Sequence, residues 1–219
     1  MKRTSLLVTT LFCMAFSAGA QIVTNDTALT AEPASKWTVS VFGGYTHRVG
    51  KVDDSGGAAA TKELKKLKNG INYGAEICNY FQDYIGVGVL ASNFLATNSV
   101  ENVNIFFAGP VFNMRYSGPR NNNMFNAGLG VGYMGYRDVY KEDHDIFISG
   151  GAPGFQYSFG YDLALSHNLY LGGVFRMFEG SLSSYKTHNH GSVSKTVLDE
   201  GKAESLNHID LSICLKWLF

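Results

Sequence analysis

The chain has 219 residues, with 18 basic and 18 acidic side chains, so its formal charge is zero. No basic stripe gathers the lysines and arginines, which argues against a nucleic-acid partner. Only 16 % of residues are charged, while 25 glycines, 15 phenylalanines and 12 tyrosines suit a membrane barrel better than an average soluble domain.

Residues 1–20 read as a secretory leader. Lys2 and Arg3 give the positive start, and Leu6 to Phe16 the apolar run, which is too short for an anchor helix. Ala18-Gly19-Ala20 is a small-residue cleavage site, so cleavage is expected after Ala20. The mature chain then carries 16 basic against 18 acidic groups, a net of −2. Phe12 stands before Cys13 where a lipoprotein leader needs a small residue, so no lipid attachment is expected. No later stretch approaches about 18 consecutive apolar residues, so no membrane helix is predicted. A membrane protein without helices must be a closed barrel, because lipid cannot satisfy free backbone groups.

Residues 21–35 are polar and small and are expected to form a periplasmic lead-in; residues 36–219 carry the barrel. Eight segments alternate apolar and polar side chains as strands do. They are Trp37–Arg48, Gly70–Tyr80, Tyr84–Phe94, Asn102–Tyr116, Met124–Arg137, about Gly154–Leu165, Asn168–Gly180 and His208–Phe219; Pro153 leaves the start of the sixth open, with pairing able to extend back to Ile146. Each is about as long as the 9–11 residues that a tilted strand needs to cross a bilayer. In the last, Ile209, Leu211, Ile213, Leu215, Trp217 and Phe219 form an apolar row, opposite His208, Asp210, Ser212, Cys214 and Lys216. In the fourth, Val103, Ile105, Phe107 and Val111 form the apolar row, but beyond Pro110 the parity shifts to Phe112, Met114 and Tyr116. A bulge at Pro110 is predicted, with Val103, Ile105 and Phe107 toward lipid and Arg115 toward the lumen.

The connections alternate between short and longer, as periplasmic turns and outside loops do in outer-membrane barrels. The expected architecture is all-β, an eight-stranded antiparallel transmembrane up-and-down barrel. A soluble barrel of lipocalin type keeps its apolar face inward. Here the opposite faces hold Glu76, Asn126, Ser158, Asp162 and Asp210, which suit a hydrated interior.

On that pattern, and on the terminal Leu215-Lys216-Trp217-Leu218-Phe219, residues Trp37 to Phe219 resemble the small OmpA/OmpX-type outer-membrane barrels. The resemblance implies a place in the bacterial outer membrane. It also implies recognition of Leu215, Trp217 and Phe219 by the barrel-assembly machinery.

An eight-stranded barrel is just wide enough for its own side chains, so a wide pore is not expected. Glu76, Arg115, Asp162, Arg176, Asp210 and Lys216 are expected to form a paired charge network in the lumen. Gly128, Gly130 and Gly132 point inward, with Phe106, Tyr80 or Phe178 as candidates to fill the gaps. Cys78 and Cys214 sit two strand spacings apart, beyond disulfide reach, and are expected to stay free. Aromatics near strand ends, including Trp37, Tyr80, Phe81, Tyr84, Phe94, Tyr116, Tyr136, Tyr161, Tyr170 and Trp217, read as interfacial girdles.

Counted from Arg48, the first outside loop carries a net of +3, and its Lys62, Lys65, Lys66 and Lys68 are candidates for contact with lipopolysaccharide phosphates. His188 and His190 alone lack the ligand count of a dependable metal site. No cofactor is expected. A Ser–His pair of His47 and Ser205 at the outer rim is conceivable, but no surrounding residues match lipid-modifying barrel enzymes. The leading expectation is a non-enzymatic barrel with an envelope-structural or surface-interaction role. A narrow solute channel comes second, and a lipid A-modifying enzyme third.

Overall fold

The computed structural model describes residues 36–49, 66–118, 122–143, 145–198 and 203–219. The expected leader and lead-in, and Lys62 and Lys65, lie outside the described residues.

The chain runs through β1 (Trp37–Arg48), β2 (Asn69–Tyr80), β3 (Ile85–Thr97), β4 (Glu101–Ser117), β5 (Asn123–Tyr140), β6 (Phe147–Ala164) and β7 (Leu169–Leu182). A hairpin of β8 (Ser184–Asn189) and β9 (Ser192–Val197), a two-residue β10 (Glu204–Ser205) and β11 (His208–Leu218) complete it. β1 to β7 pair in sequence order, all antiparallel, and β11 pairs with both β7 and β1. The sheet thus closes into an eight-stranded barrel. Closure is complete: Thr38↔Leu218 through Arg48↔His208 stay in register. The amides of Trp37 and Phe219 then exchange bonds with each other's carbonyls at 3.2 and 2.9 Å. No edge is left in the barrel wall, as hydrocarbon requires.

Alternation decides which side of the wall each residue takes. On β1, β2, β3, β5, β6, β7 and β11 the apolar rows predicted to face lipid do so. Val41, Ile71, Val89, Val131, Phe155 and Ile213 are between 43 and 68 % exposed. Exposed aromatics ring this belt at two levels. Tyr45, Tyr73, Phe106 and Tyr133 lie toward the outer end, and Trp37, Phe81, Tyr84 and Tyr116 toward the other. Ring hydroxyls meet polar partners there, as at Asn93 Nδ2 to Tyr73 OH (2.8 Å), which is how amphipathic rings sit at a membrane interface.

Three expectations need correction. First, β4 has no bulge. Ala108↔Tyr133 and Val111↔Gly130 share one offset, and the pairing with β3 is unbroken from Ile85↔Met114 to Thr97↔Asn102. Odd positions face inward along the whole strand, so Val103, Ile105, Phe107 and Val111 are buried in the lumen while Phe106 and Phe112 face out. The outer half of the lumen holds an apolar plug here, so both faces of this stretch are apolar and contrast between them carries no sign. Second, Tyr80, Phe94 and Tyr170 are buried inward rather than in the girdles, and Tyr136 packs against the interior cluster. Third, the outside connection between β3 and β4 is shorter than expected. Asn98–Val100 alone joins β3 to β4, with Asn98 Oδ1 accepting the Val100 and Glu101 amides at 2.8 and 2.7 Å. The sixth strand takes the longer of its two expected extents: β5 and β6 stay paired up to Val139↔Phe147. Gly151 permits this where the Tyr133 ring crosses it: a Cβ there would lie 1.8 Å from the tyrosine oxygen.

Candidate functional site: a two-zone lumen and its outer rim

The lumen has two zones. Its outer half holds an apolar plug, with the buried polar groups Thr46, Asn72 and Asp210 beside it. Phe94, Ile105, Phe107, Phe178, Leu182 and Leu206 are at most 1 % exposed and belong to one cluster. Phe107 meets Phe178 edge-on at 5.1 Å between centroids. His208 lies between Phe178 and Phe94, stacked at 4.6 and 5.6 Å, and its Nδ1 faces the Leu206 carbonyl at 2.9 Å. Side chains from β3, β4, β7 and β11, with Leu206 just before β11, thus meet across the bore.

The other half is polar, and the six expected lumen charges have different partners across the two zones. Arg176 Nη2 lies 3.7 Å from Glu76 Oε2, and Asn113 Nδ2 donates to Glu76 Oε1 at 2.7 Å. The same guanidinium lies over the Phe42 ring at 3.7 Å. Lys216 Nζ donates to Asp162 Oδ2 at 2.6 Å, and Asn126 Nδ2 donates to the same oxygen at 2.6 Å. These groups enclose a chamber of about 30 Å³, room for a water or two. Asp210 stands apart from it, accepting from Thr46 Oγ1. A chain of polar side chains continues from there: Asn72 Nδ2 donates to Thr46 Oγ1 at 2.9 Å, and Ser212 Oγ donates to Asn72 Oδ1 at 2.7 Å. Arg115 donates from Nε to the Asp83 carbonyl at 2.8 Å and lies over the Tyr80 ring at 3.9 Å.

The inward glycines are filled by neighbours that the sequence did not single out. A Cβ at Gly128 would meet Asn113 Oδ1 at 2.4 Å and Ser158 Oγ at 2.6 Å; one at Gly130 would meet Val111 at 2.9 Å. Phe106, a candidate filler, faces lipid instead. Cys78 and Cys214 are free and buried.

At the rim, Leu67 is buried and belongs to the apolar cluster, with exposed Lys66 before it and partly buried Lys68 after it. Arg48 Nη2 bridges Glu204 Oε1 (2.7 Å) and the Ser205 carbonyl (2.8 Å). His47 and Ser205 have separate partners. His47 Nδ1 lies 2.8 Å from Asn69 Oδ1, and Ser205 Oγ accepts the Asn207 amide at 3.3 Å. That is a rim of structural polar contacts, without the mutual bond that activates a serine. Leu215 and Trp217 lie on the outward face of β11, and Phe219, one residue past its end, is 68 % exposed.

No family model matches the chain, and no curated protein matches it by sequence. Solved structures match by shape. Neisserial surface protein A (NspA) superposes with a TM-score of 0.55 at 12 % identity, over 86 % of this chain and 100 % of that one. A major outer membrane protein from Thermus thermophilus gives 0.57 at 14 %, over 85 % and 100 %. The outer membrane protein OprG from Pseudomonas aeruginosa gives 0.50 at 11 %, over 85 % and 97 %. The chain has the fold of the small eight-stranded outer-membrane β-barrels. Identities this low carry the fold alone, so what this barrel does has to be argued from its own lumen and rim.

Proposed function

We propose that this protein is a non-enzymatic, non-conducting barrel of the bacterial outer membrane, acting in envelope structure or surface interaction through its outer segments. The observation that carries the reading is the apolar plug: a channel needs a wetted bore, and here Phe94, Phe107 and Phe178 fill it. The lipid-facing belt and the fold shared with outer-membrane proteins support the location. In this reading Lys62, Lys65, Lys66 and Lys68 meet lipopolysaccharide phosphates, and the barrel-assembly machinery reads Leu215, Trp217 and Phe219. The separate engagement of His47 and Ser205 supports the absence of catalysis.

The test is planar-bilayer recording with the purified barrel. Silence at all applied potentials is expected, and reproducible single-channel steps would overturn the reading in favour of a narrow solute channel. An acyl pattern of lipid A that changes with the wild-type protein but not with His47→Ala would replace it with an enzyme.

A further inference from the structure

The second-to-last outside connection and the β8–β9 hairpin meet above the barrel. β8 continues the sheet from β6, pairing Phe147↔His188 through Gly150↔Tyr185. That register brings the hairpin's turn beside the segment that leads into β6. The turn is His190-Gly191, both with positive φ (44° and 84°), as a two-residue primed hairpin turn requires. His190 Nε2 lies 3.0 Å from Asp143 Oδ2, and its Nδ1 lies 3.9 Å from Asp145 Oδ2. One donor atom from each of the three residues falls within 4.8 Å of the others.

The local bonds leave these atoms available. Asp143 uses Oδ1 to accept the Asp145 amide at 3.1 Å and keeps Oδ2 toward the histidine. Among the described residues no lysine or arginine pairs with either carboxylate; Lys141 donates to the Asn98 carbonyl instead. His188 is not part of the group. It stacks on Phe147 at 4.1 Å, and its Nε2 faces Ser149 Oγ at 3.2 Å.

We propose that Asp143, Asp145 and His190 form a binding site for a divalent transition-metal ion of the zinc class, which staples the β8–β9 hairpin to the β5–β6 connection. Two carboxylate oxygens and one imidazole nitrogen are a ligand set zinc accepts, with water in the fourth position. The nitrogen donor selects against calcium and magnesium, which prefer oxygen alone. The donor atoms must draw together to about 3–3.5 Å to share one ion at zinc's bond lengths. The side chains of His190, Asp143 and Asp145 are 61, 36 and 80 % exposed and can do so by changing rotamer, without moving the sheet. Two negative groups drawn together at the tip gain from a dication between them.

The experiment is a calorimetric zinc titration of the tag-free barrel in detergent micelles. One site per chain is expected. His190→Ala and Asp143→Asn should each weaken it about tenfold or more, since even outer-shell groups of a metal site are worth roughly 10–100-fold. His188→Ala should leave it unchanged, and calcium should give no heat. A second readout separates a staple from loose surface binding: zinc should slow amide hydrogen exchange in residues 185–188 of the wild type but not of His190→Ala. No zinc binding, or binding that survives both His190→Ala and Asp143→Asn, would overturn the proposal.

Discussion

The imidazole of His208 lies against the ring of Phe178, centroids 4.6 Å apart and planes 17° from parallel. β7 and β11 are neighbours, and Phe178↔His208 is a register pair, so the stack comes directly from the pairing of two strands. With Phe94 on the far side of the imidazole, it forms the crossbar of the plug.

Removing that crossbar should cost stability. Phe178 is fully buried, and Phe178→Ala should lose about 3–5 kcal/mol, the usual range for emptying an aromatic site in a packed interior. Equilibrium unfolding of the barrel in lipid by urea measures this; a loss under about 1 kcal/mol would mean that the outer lumen is loosely packed.

The Lys216–Asp162 pair spans β11 and β6, with β7 between them, and both side chains are buried. Asp162→Asn alone strands a buried ammonium and should cost about 3–5 kcal/mol. The double variant Asp162→Asn/Lys216→Met should recover most of that loss. Additive losses in the double-mutant cycle would show that the two groups do not interact.

The parity of β4 is open to chemical labelling. In a background with Cys78 and Cys214 replaced by serine, a cysteine at position 106 should react with a bilayer-dissolved maleimide, and one at 105 should not. The opposite pattern would restore the bulge at Pro110.

Exposure has different meanings at different heights. Ile213 and Val193 are 68 and 57 % exposed, but Ile213 lies in the lipid-facing belt and Val193 on the hairpin above it. Ile213→Arg should cost about 2–4 kcal/mol, the penalty for a cation on the lipid face near the midplane. Val193→Arg should change stability by less than about 0.5 kcal/mol, as surface substitutions do. Urea unfolding of the two variants side by side decides it, and equal costs would place both residues in the same solvent.

The strand count, the closing partnership of β1 and β11, and the lipid-facing rows were legible because seven strands oppose an apolar row to a mixed one. β4 was not legible above Pro110, where Ile105 and Phe107 fill the lumen while Phe106 faces lipid, so alternation had no contrast to report. The same gap hid the inward turn of Phe94 and Tyr170: a large aromatic near a strand end suits a girdle or a plug, and only the register tells them apart. His190 could be noticed in the sequence, but not its partners. Asp143 and Asp145 reach it through the pairing of β6 with β8, a contact no local pattern announces.

Thr46 and Asp210 touch although 164 residues separate them, because the strand made first is sealed by the strand made last. Such a chain cannot bank its gains as it emerges. Every strand from β2 to β7 can find its neighbour early, yet the hydrogen-bonding edge of β1 has to wait for β11, and the loop to be closed is nearly the whole barrel. Until then the molecule is an open sheet with two sticky margins. Its folding is therefore a problem of custody as much as of stability: something must keep the first strand from the wrong companion until the right one arrives.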